Sequence, residues 1–496
     1  MRCIFGLVAA SASLLLFGLA ACGGDDSNRA ASDASLGDVA VDSPAAPEHT
    51  ITLSFSRTVT GFDVTMHVET NGVPDSSSAP TISVTGGAAS AVVPGAAAGD
   101  FVSSVDPSVI DDEVAVTATA YGNTAKKTAL VLEHLADALD QPEEVPGLVN
   151  TTGVEDGANV SPDGAWLIVA SYVPIDLYSC VLTGAADFSS AACSTIIGPY
   201  AAPERPNMLG ASRIHDGTYD DTCPSLGVTT PQTHAFFPVA AYMFHRQSDG
   251  SFAEPHVLGV DADGCLGPYG YSFAGAPTGT TAGLVFAHDD PSDVPDTKAD
   301  IYFLNATLGQ DNIWARYFVD GGTPTLSEMT AVKIPPVLPD RQGNPAFQDG
   351  LLAWDNEDLA APNRDLFFAP EMGTLPAVTA IDAGSSPDGG PPTIGVSNSS
   401  EEEIQPAFDG ADLYWYGTGG ISMATRTSST ADPSAPASWS ARTSMVNVLG
   451  DGTRPIIATG EPTVAHPAGG KKELYFVYIK KVGAGYDGAV ARVPFR

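Results

Sequence analysis

The chain has 496 residues, including 51 glycines and 39 prolines, and its formal net charge is -37 because 59 Asp and Glu outnumber 22 Lys and Arg. An acidic surface of this kind repels nucleic acid and anionic lipid headgroups, which argues against both as partners. Many turns are required by this composition, and helix interiors tolerate neither glycine nor proline well, so an all-β protein is expected.

The N-terminus has the layout of a secretion signal. Met1-Arg2 precedes a largely apolar run over residues 4–19, which ends in the box Leu19-Ala20-Ala21-Cys22. This run is shorter than the roughly 20 residues that a membrane-spanning helix needs. The arrangement resembles the signal peptides of bacterial lipoproteins, whereas a simple secretory signal with an accidental cysteine is the alternative.

The resemblance to bacterial lipoproteins implies that residues 1–21 are removed and that Cys22 carries the lipid. The expected location is therefore the cell envelope, with the protein tethered to a membrane through its anchor. Gly23 follows the cysteine, which in enteric bacteria favours the outer membrane. Residues 22–49 are rich in Ala, Ser, Asp, Gly and Pro and predict a flexible stalk, because such a segment has little apolar surface to bury.

Residues 50–133 alternate between apolar and polar side chains, as in Ile51-Thr52-Leu53-Ser54-Phe55. A period of two places one face of each strand in a core and the other in water. Tyr121-Gly122-Asn123 interrupts two such runs and predicts a hairpin turn. We interpret the segment as an immunoglobulin-like β-sandwich of six or seven short strands, followed by a linker over residues 134–147.

From residue 148 onward a sequence pattern recurs, in which a short segment and an Asp-Gly turn precede an apolar, aromatic strand. Clear copies include residues 158–170, 345–354 and 405–416, a weaker one spans 461–477, and degenerate ones cover 235–244 and 284–303. Asp-Gly supplies the positive φ angles of a tight hairpin. Trp166, Trp354 and Trp415 each follow such a turn, which predicts packing in a core.

These sequence patterns resemble the β-propeller repeats of the TolB-like family, in which a proline shortly precedes an Asp-Gly turn and a Leu-Tyr or Leu-Phe strand follows. The resemblance implies that residues 148–496 form a β-propeller of roughly six blades. The expected fold class is thus all-β, with an N-terminal sandwich followed by a propeller.

Four cysteines remain after Cys22, namely Cys180, Cys193, Cys223 and Cys265. An even number in an oxidising compartment predicts two disulfides, and our pairing hypothesis joins Cys180 to Cys193 and Cys223 to Cys265. A zinc site is the alternative, although no C-x-x-C spacing supports it.

Asp261 and Asp263 have the spacing at which a calcium loop begins, and Gly264 follows them as a turn residue. The third acidic position and the closing Glu of such a loop are missing, so an ordinary turn is the alternative. No other cofactor is suggested by the sequence.

Sequence motifs of serine hydrolases, zinc proteases and phosphate-binding loops are absent from the chain. The predicted function is a non-catalytic binding or scaffold module that holds a protein or glycan at one propeller face. The alternative is a propeller-fold glycoside hydrolase or lyase acting on a polysaccharide, because carboxylates are numerous enough to supply an acid and a nucleophile.

Overall fold

The protein is all-β. The computed structural model describes these residues: 46–150, 154–173, 218–223, 228–235, 241–258, 271–273, 283–287, 312–320, 323–332, 341–348, 351–357, 364–369, 379–380, 403–417, 420–429, 431, 436–450, 452–483 and 485–496. Helical structure in these ranges is limited to a 3₁₀ turn at Pro436–Ser438. Within the same ranges, no helix is long and apolar enough to cross a membrane.

The N-terminal module, defined by its first nine strands, consists of two sheets packed face to face. The strands are β1 (His49–Arg57), β2 (Phe62–Thr70), β3 (Val73–Pro74), β4 (Thr81–Thr85), β5 (Gly87–Ala89), β6 (Val93–Pro94), β7 (Asp100–Pro107), β8 (Asp112–Ala120) and β9 (Asn123–Val131). One sheet has the order β1-β2-β7-β5, with β3 beside β2 and β6 beside β7. The other sheet contains β4, β8 and β9 in that order.

Alternation along the strands builds the core of this module, as the sequence predicts. Phe62, Val64, Met66 and Val68 on β2 are fully buried and face the buried side chains of β8. Burying a side chain of this size stabilises the fold by roughly 1.5–3 kcal/mol. The predicted hairpin is confirmed: Ala120 pairs with Asn123 across a turn whose residues Tyr121 and Gly122 have φ of 51° and 83°.

The segment 134–147, for which the sequence predicts a linker, is packed between strands. It contains β10 (His134–Leu135) and β11 (Glu143–Glu144), and β11 pairs with β9 on one side and with β32 (Gly485–Pro494) on the other. Gly147 ends the segment with φ +107°, and a Cβ atom there would lie 2.1 Å from the carbonyl oxygen of Phe252. The N-terminal module therefore continues through β11 into the C-terminal part as one sheet.

Strands downstream of β11 form successive antiparallel meanders. Their bounds are β12 (Val154–Val160), β13 (Trp166–Val173), β14 (Thr218–Cys223), β15 (Val228–Ala235), β16 (Ala241–Arg246), β17 (Phe252–Leu258), β18 (Tyr271–Phe273), β19 (Gly283–Ala287), β20 (Asn312–Asp320), β21 (Thr323–Val332), β22 (Arg341–Gln348), β23 (Leu351–Glu357), β24 (Arg364–Ala369), β25 (Thr379–Ala380), β26 (Glu403–Asp409), β27 (Asp412–Gly417), β28 (Gly420–Thr425), β29 (Thr443–Asn447), β30 (Ile456–Ala465), β31 (Glu473–Val482) and β32.

The described strands group into five meanders. These are β12-β13-β16-β17, β18-β19-β20-β21, β22-β23-β24-β25, β26-β27-β28-β29 and β30-β31-β32-β11. A parallel pair of β12 with β32 joins the first meander to the last. Residues 235–244, one of the six expected repeat copies, do not start a sheet of their own. Their strand β16 pairs with β13 and is the third strand of the first meander, while β14 and β15 form a separate hairpin before it.

The first strands of the five meanders contact one another in a ring. β12 contacts β18, β18 contacts β22, β22 contacts β26, β26 contacts β30, and β30 contacts β12. The fifth sheet, made of β30, β31, β32 and β11, takes its outermost strand from the segment that leads out of the N-terminal module. This strand ties the beginning of the C-terminal part to its end.

Candidate functional site

Three of the first strands share an irregularity at which a polar residue precedes a proline. In β22, β26 and β30 the pairing register shifts within a short stretch, between Gly343 and Ala346, Ile404 and Ala407, and Gly460 and Thr463. Each of these stretches contains a polar residue followed by proline, which are Asn344-Pro345, Gln405-Pro406 and Glu461-Pro462. A proline cannot donate to the ladder of hydrogen bonds, so it is accommodated where the pairing is interrupted.

Glu461 connects three of the first strands. Its Oε2 accepts hydrogen bonds from the backbone amides of Gly157 (2.6 Å) and Ala158 (3.1 Å) on β12. Its Oε1 accepts from Nε2 of Gln405 on β26 at 3.0 Å, and its own amide donates to Oε1 of Gln405 at 3.0 Å. Gln405 and Glu461 hold left-handed backbone conformations, with φ of 56° and 54°. Both oxygens of this carboxylate therefore serve as acceptors that join neighbouring sheets.

Strain in the backbone accompanies this arrangement. A left-handed conformation costs a residue with a Cβ atom roughly 1–2 kcal/mol, and it persists where surrounding contacts enforce it. The hydrogen bonds between Glu461, Gln405 and β12 hold both residues in this conformation. We call Glu461, Gln405 and the amides of Gly157 and Ala158 the first-strand latch.

A second polar cluster lies at the turn between β26 and β27. Lys472 contacts Asp409, lies 2.9 Å from Tyr414 Oη, and lies 3.5 Å from a carboxylate oxygen of Asp412. His466 Nε2 lies 2.7 Å from Asp409 Oδ1. The cluster fixes the loop after β30 onto the Asp-Gly turn of the preceding sheet.

Burial and ion pairing together determine the directions of the pKa shifts in this cluster. Burial alone would raise the pKa of Asp409, but hydrogen bonds from Lys472 and His466 outweigh it and lower that pKa. Burial alone would lower the pKa of Lys472, but its bonds to Asp409 and Tyr414 raise it. Burial raises the pKa of Tyr414 to about 12. Lysine and aspartate are thus held charged and the phenol neutral, which suits an ion pair rather than a general base.

A third, more deeply buried network joins the N-terminal module to the fifth sheet. Arg492 on β32 donates from Nε and Nη2 to Oε1 of Glu143 on β11, at 3.0 and 2.7 Å. Lys127 on β9 donates to the same carboxylate at 3.1 and 2.9 Å. Arg492 and Glu143 are 6% and 7% exposed, so this pair is withdrawn from solvent.

The network continues into the first meander through Glu473. Arg246 on β16 donates to both of its oxygens at 2.6 and 3.1 Å, and Tyr475 Oη donates to it at 2.6 Å. Burial alone would raise the pKa of Glu473, but the hydrogen bond from Arg246 and the charge of Arg492 outweigh it and lower that pKa. We refer to Lys127, Glu143, Arg246, Glu473 and Arg492 together as the junction network.

Most of the site residues suggested by the sequence lie outside the described residues. These are Cys22, Cys180, Cys193, Cys265, Asp261 and Asp263. Cys223 ends β14, for which the backbone is described. Lipidation, the two disulfides and the calcium loop therefore stay predictions. Among the described residues, no group of three or more His, Cys, Asp or Glu side chains could hold a metal ion.

Tryptophan placement agrees with core packing where the side chains are described. Trp166 is 4% exposed, and Trp415 is fully buried between β26 and β28 in the fourth sheet. Trp354 lies on β23, one strand after the β22 irregularity. The indoles of Trp166 and Trp415 are thus packed inside their sheets and do not form a sugar-stacking platform.

Sequence reasoning did not identify Gln405 and Glu461. The signal that could have found them is the recurrence of a polar residue immediately before a proline in three of the repeats, at Asn344, Gln405 and Glu461. A residue before proline is biased toward extended conformations. This backbone preference does not require a polar side chain. Its recurrence at that position therefore indicates a role for the side chain itself.

Comparisons with known proteins identify no family. No model of a protein family matches the sequence, and no curated protein matches it. Among solved structures, a protein of unknown function from Dyadobacter fermentans has a TM-score of 0.32 at 9% identity, covering 90% of this chain and 95% of the other. A protein of unknown function from Bacteroides thetaiotaomicron has a TM-score of 0.25 at 8% identity, covering 92% and 99%.

The third neighbour is described as a xylan beta-1,4-xylosidase from Bacillus halodurans. Its TM-score is 0.25 at 7% identity, and the match covers 90% of this chain. The chain spans about half of the xylosidase, with 53% covered. At TM-scores this low, none of the three neighbours carries an argument about activity.

Proposed function

We propose that the protein is a lipid-anchored lipoprotein of the cell envelope whose folded part is a rigid binding or scaffold module. In this proposal Cys22 carries the anchor, residues 22–49 form the stalk, and an immunoglobulin-like module and a propeller follow. A protein or glycan ligand binds to loops on one face of the propeller. The observation that carries the proposal is β11, which is paired simultaneously with β9 of the N-terminal module and β32 of the fifth sheet.

The strand order of the N-terminal module supports an immunoglobulin-like fold. Taking β1, β2, β4, β5, β7, β8 and β9 as strands A to G gives one sheet of order A-B-E-D and another of order C-F-G. Constant-type immunoglobulin domains have this distribution of seven strands between two sheets.

The ring of first strands supports a propeller with five blades. Radially repeated antiparallel sheets of four strands, each contacting its neighbours through the innermost strand, are typical of propellers. Here β12, β18, β22, β26 and β30 form such a ring, and β11 completes the last sheet from the N-terminal side. The TolB-like resemblance of the repeats points to the same architecture.

The described polar clusters favour binding over catalysis. The Glu461 carboxylate in the ring accepts hydrogen bonds with both oxygens, and Glu143 and Glu473 are paired with buried or half-buried cations. Each cluster stabilises a contact between sheets, which gives a rigid frame. Loops on such a frame are the usual place for recognition, because the scaffold positions them without restricting their sequence.

The anchor is tested by fractionating cells that make the full chain and a Cys22→Ala variant. Because the diacylglycerol attaches to the thiol, the unaltered protein is expected in the membrane fraction and the variant in the soluble fraction. Recovery of the unaltered protein in the soluble fraction, or of Cys22→Ala in salt-washed membranes after residues 1–21 have been removed, would refute the lipid anchor.

The binding role is tested by cross-linked capture from native envelopes with the tagged full chain. The expected result is a ligand that saturates the bait and is displaced by an excess of untagged protein. Envelope polysaccharide that becomes progressively shorter during incubation with the protein would instead contradict a non-catalytic role and support the hydrolase or lyase.

A further inference from the structure

A second buried cluster at the junction contains more hydrogen-bond acceptors than donor protons. Tyr478 on β31 is fully buried, and its Oη lies 2.6 Å from Oε1 of Glu113 on β8 and 2.6 Å from Oε1 of Glu144 on β11. Lys480 Nζ lies 2.5 Å from the same oxygen of Glu113 and 3.4 Å from Oδ2 of Asp487. One phenol thus connects the N-terminal module, the shared strand β11 and the fifth sheet.

The number of available protons determines how Tyr478 is hydrogen-bonded to the two carboxyl groups. A tyrosine hydroxyl has a single proton and can donate to one of the two carboxyl oxygens only. A second ionised carboxylate at 2.6 Å would place an anionic oxygen against a lone pair of the phenol, which is repulsive. The second carboxyl group must therefore carry a proton and donate it to Tyr478 Oη.

The surrounding charges identify Glu144 as the protonated partner. The described ion pairs of Lys480 are with Glu113 at 2.5 Å and Asp487 at 3.4 Å, so its ammonium lies against Glu113. Burial raises the pKa of Glu144, and the charge of Glu113 raises it further against the opposing hydrogen bond from Tyr478. Burial also raises the pKa of Tyr478, so the phenol stays neutral.

We infer that Glu144 holds a proton in the folded protein and that the chain Glu144 to Tyr478 to Glu113 is a pH-dependent lock between the N-terminal module and the fifth sheet. In the locked state the Glu144 carboxyl donates to Tyr478, Tyr478 donates to Glu113, and Lys480 donates to Glu113. Loss of the Glu144 proton replaces a hydrogen bond by repulsion between two carboxylates. The inference rests on this geometry and is independent of the proposed function.

The other titratable groups around the lock include a cation, Lys480, whose charge lowers the pKa of Glu144 against the larger effect of burial. Burial raises the pKa of Asp112 on β8 and of Asp487 on β32, while Lys480 opposes both shifts. Lys480 itself has a raised pKa: burial alone would lower it, and Glu113 outweighs that effect. On β9, the Thr128 side chain is hydrogen-bonded to Glu144 and does not titrate. The lysine stays charged while the carboxyl groups lose protons, so the buried negative charge grows as the pH rises.

The sign of the pH dependence follows from the raised pKa of Glu144. Its contribution to stability is fully present below the unfolded-state pKa of about 4.3 and is lost as the pH rises through the folded-state pKa. Between these two pKa values the folded state keeps a proton that the unfolded state has released, so the ratio of folded to unfolded protein falls about tenfold per pH unit, and above the folded-state pKa this dependence ends.

The test compares the full chain with Glu144→Gln by chemical denaturation from about pH 4 to about pH 9, a range that extends well above the ordinary glutamate pKa. Glutamine keeps the shape and donates to Tyr478 Oη from Nε2 at every pH, so the variant is expected to lose the tenfold-per-unit decrease between the unfolded-state and folded-state pKa values of Glu144. Glu48→Gln, at an exposed carboxyl outside the lock, serves as the matched control and should follow the unaltered protein. Parallel pH profiles for Glu144→Gln and the unaltered protein would overturn the inference.

Infrared spectroscopy provides a readout that stability alone does not. The unaltered protein should show the carbonyl stretch of a buried protonated carboxyl group at pH values above the ordinary glutamate pKa, and this signal should persist in Glu48→Gln. Its absence in the unaltered protein, or its persistence at full strength in Glu144→Gln, would also overturn the assignment.

Discussion

At the scale of single residues, the structure uses charged and polar side chains as links between sheets. Glu461 combines a left-handed backbone with hydrogen bonds to β12 and to Gln405, and neither feature is explained by packing. The ion pair of Asp409 and Lys472 likewise links the loop that follows β30 to the turn between β26 and β27. Polar groups at these positions stabilise the contacts between neighbouring sheets because each one satisfies donors that would otherwise be buried without a partner.

Glu461→Ala should destabilise the protein by about 2–4 kcal/mol, because two backbone amides of β12 and the amide of Gln405 lose a charged acceptor. Glu461→Gly loses the same bonds but relieves the left-handed strain, so its stability should lie between that of the alanine variant and that of the unaltered protein. Chemical denaturation measures all three proteins. A Glu461→Ala variant that is as stable as the Glu48→Ala control would contradict the role of the latch.

At the scale of secondary-structure elements, β11 decides how the parts of the chain are joined. It has two residues, and their side chains point to different clusters: Glu143 to the junction network and Glu144 to the Tyr478 lock. Alternation along a strand places successive side chains on opposite faces, so a single short strand can serve both. A segment that the sequence predicts to be a linker therefore pairs with both parts of the chain and contributes a side chain to each of two buried clusters.

Arg492→Met should destabilise the protein by about 3–5 kcal/mol, because removing one partner of a buried pair leaves Glu143 without its main counter-charge. The double variant Arg492→Met with Glu143→Leu should recover part of this loss, since both charges are then removed and apolar volume is retained. Denaturant midpoints of the single and double variants check the prediction. An additive effect of the two substitutions would show that the two side chains do not interact.

At the scale of the whole molecule, the sheet that runs from β4 through β8, β9, β11 and β32 makes the N-terminal module part of the larger body. Two core clusters meet across this sheet, because Ala129 belongs to the core of the module and the neighbouring Leu130 to that of the fourth and fifth sheets. A module on a flexible tether would share neither a strand nor a core layer with its neighbour.

The N-terminal module and the sheets next to it should therefore unfold in one transition. Every tryptophan of the chain lies at or beyond Trp166, so tryptophan fluorescence reports on the C-terminal part, whereas far-UV circular dichroism reports on both parts. Coincident thermal midpoints by the two probes are expected for the full chain. A separate transition seen by circular dichroism alone would show that the module unfolds independently.

The sequence by itself determined the all-β character of the protein, the core positions of the N-terminal module, and the Tyr121-Gly122 turn. These features are local: glycine and proline content limits helices, a period of two identifies the buried face of β2 and β8, and a positive φ selects the turn residues. The interior placement of Trp166 and Trp415 followed from the same kind of pattern. The recurring polar residue before proline was also visible, although its role was not.

Only the tertiary structure decided which strands pair and which charges meet. Among the described strands, β16 joins the first meander and does not begin one of its own, and this depends on its pairing with β13, which is distant in the sequence. Glu143 and Arg492 are 349 residues apart in the chain. Local periodicity specifies which face of a strand is buried but leaves its hydrogen-bonding partner open, so the shared strand β11, the latch and the Tyr478 lock arise only when distant edges come together.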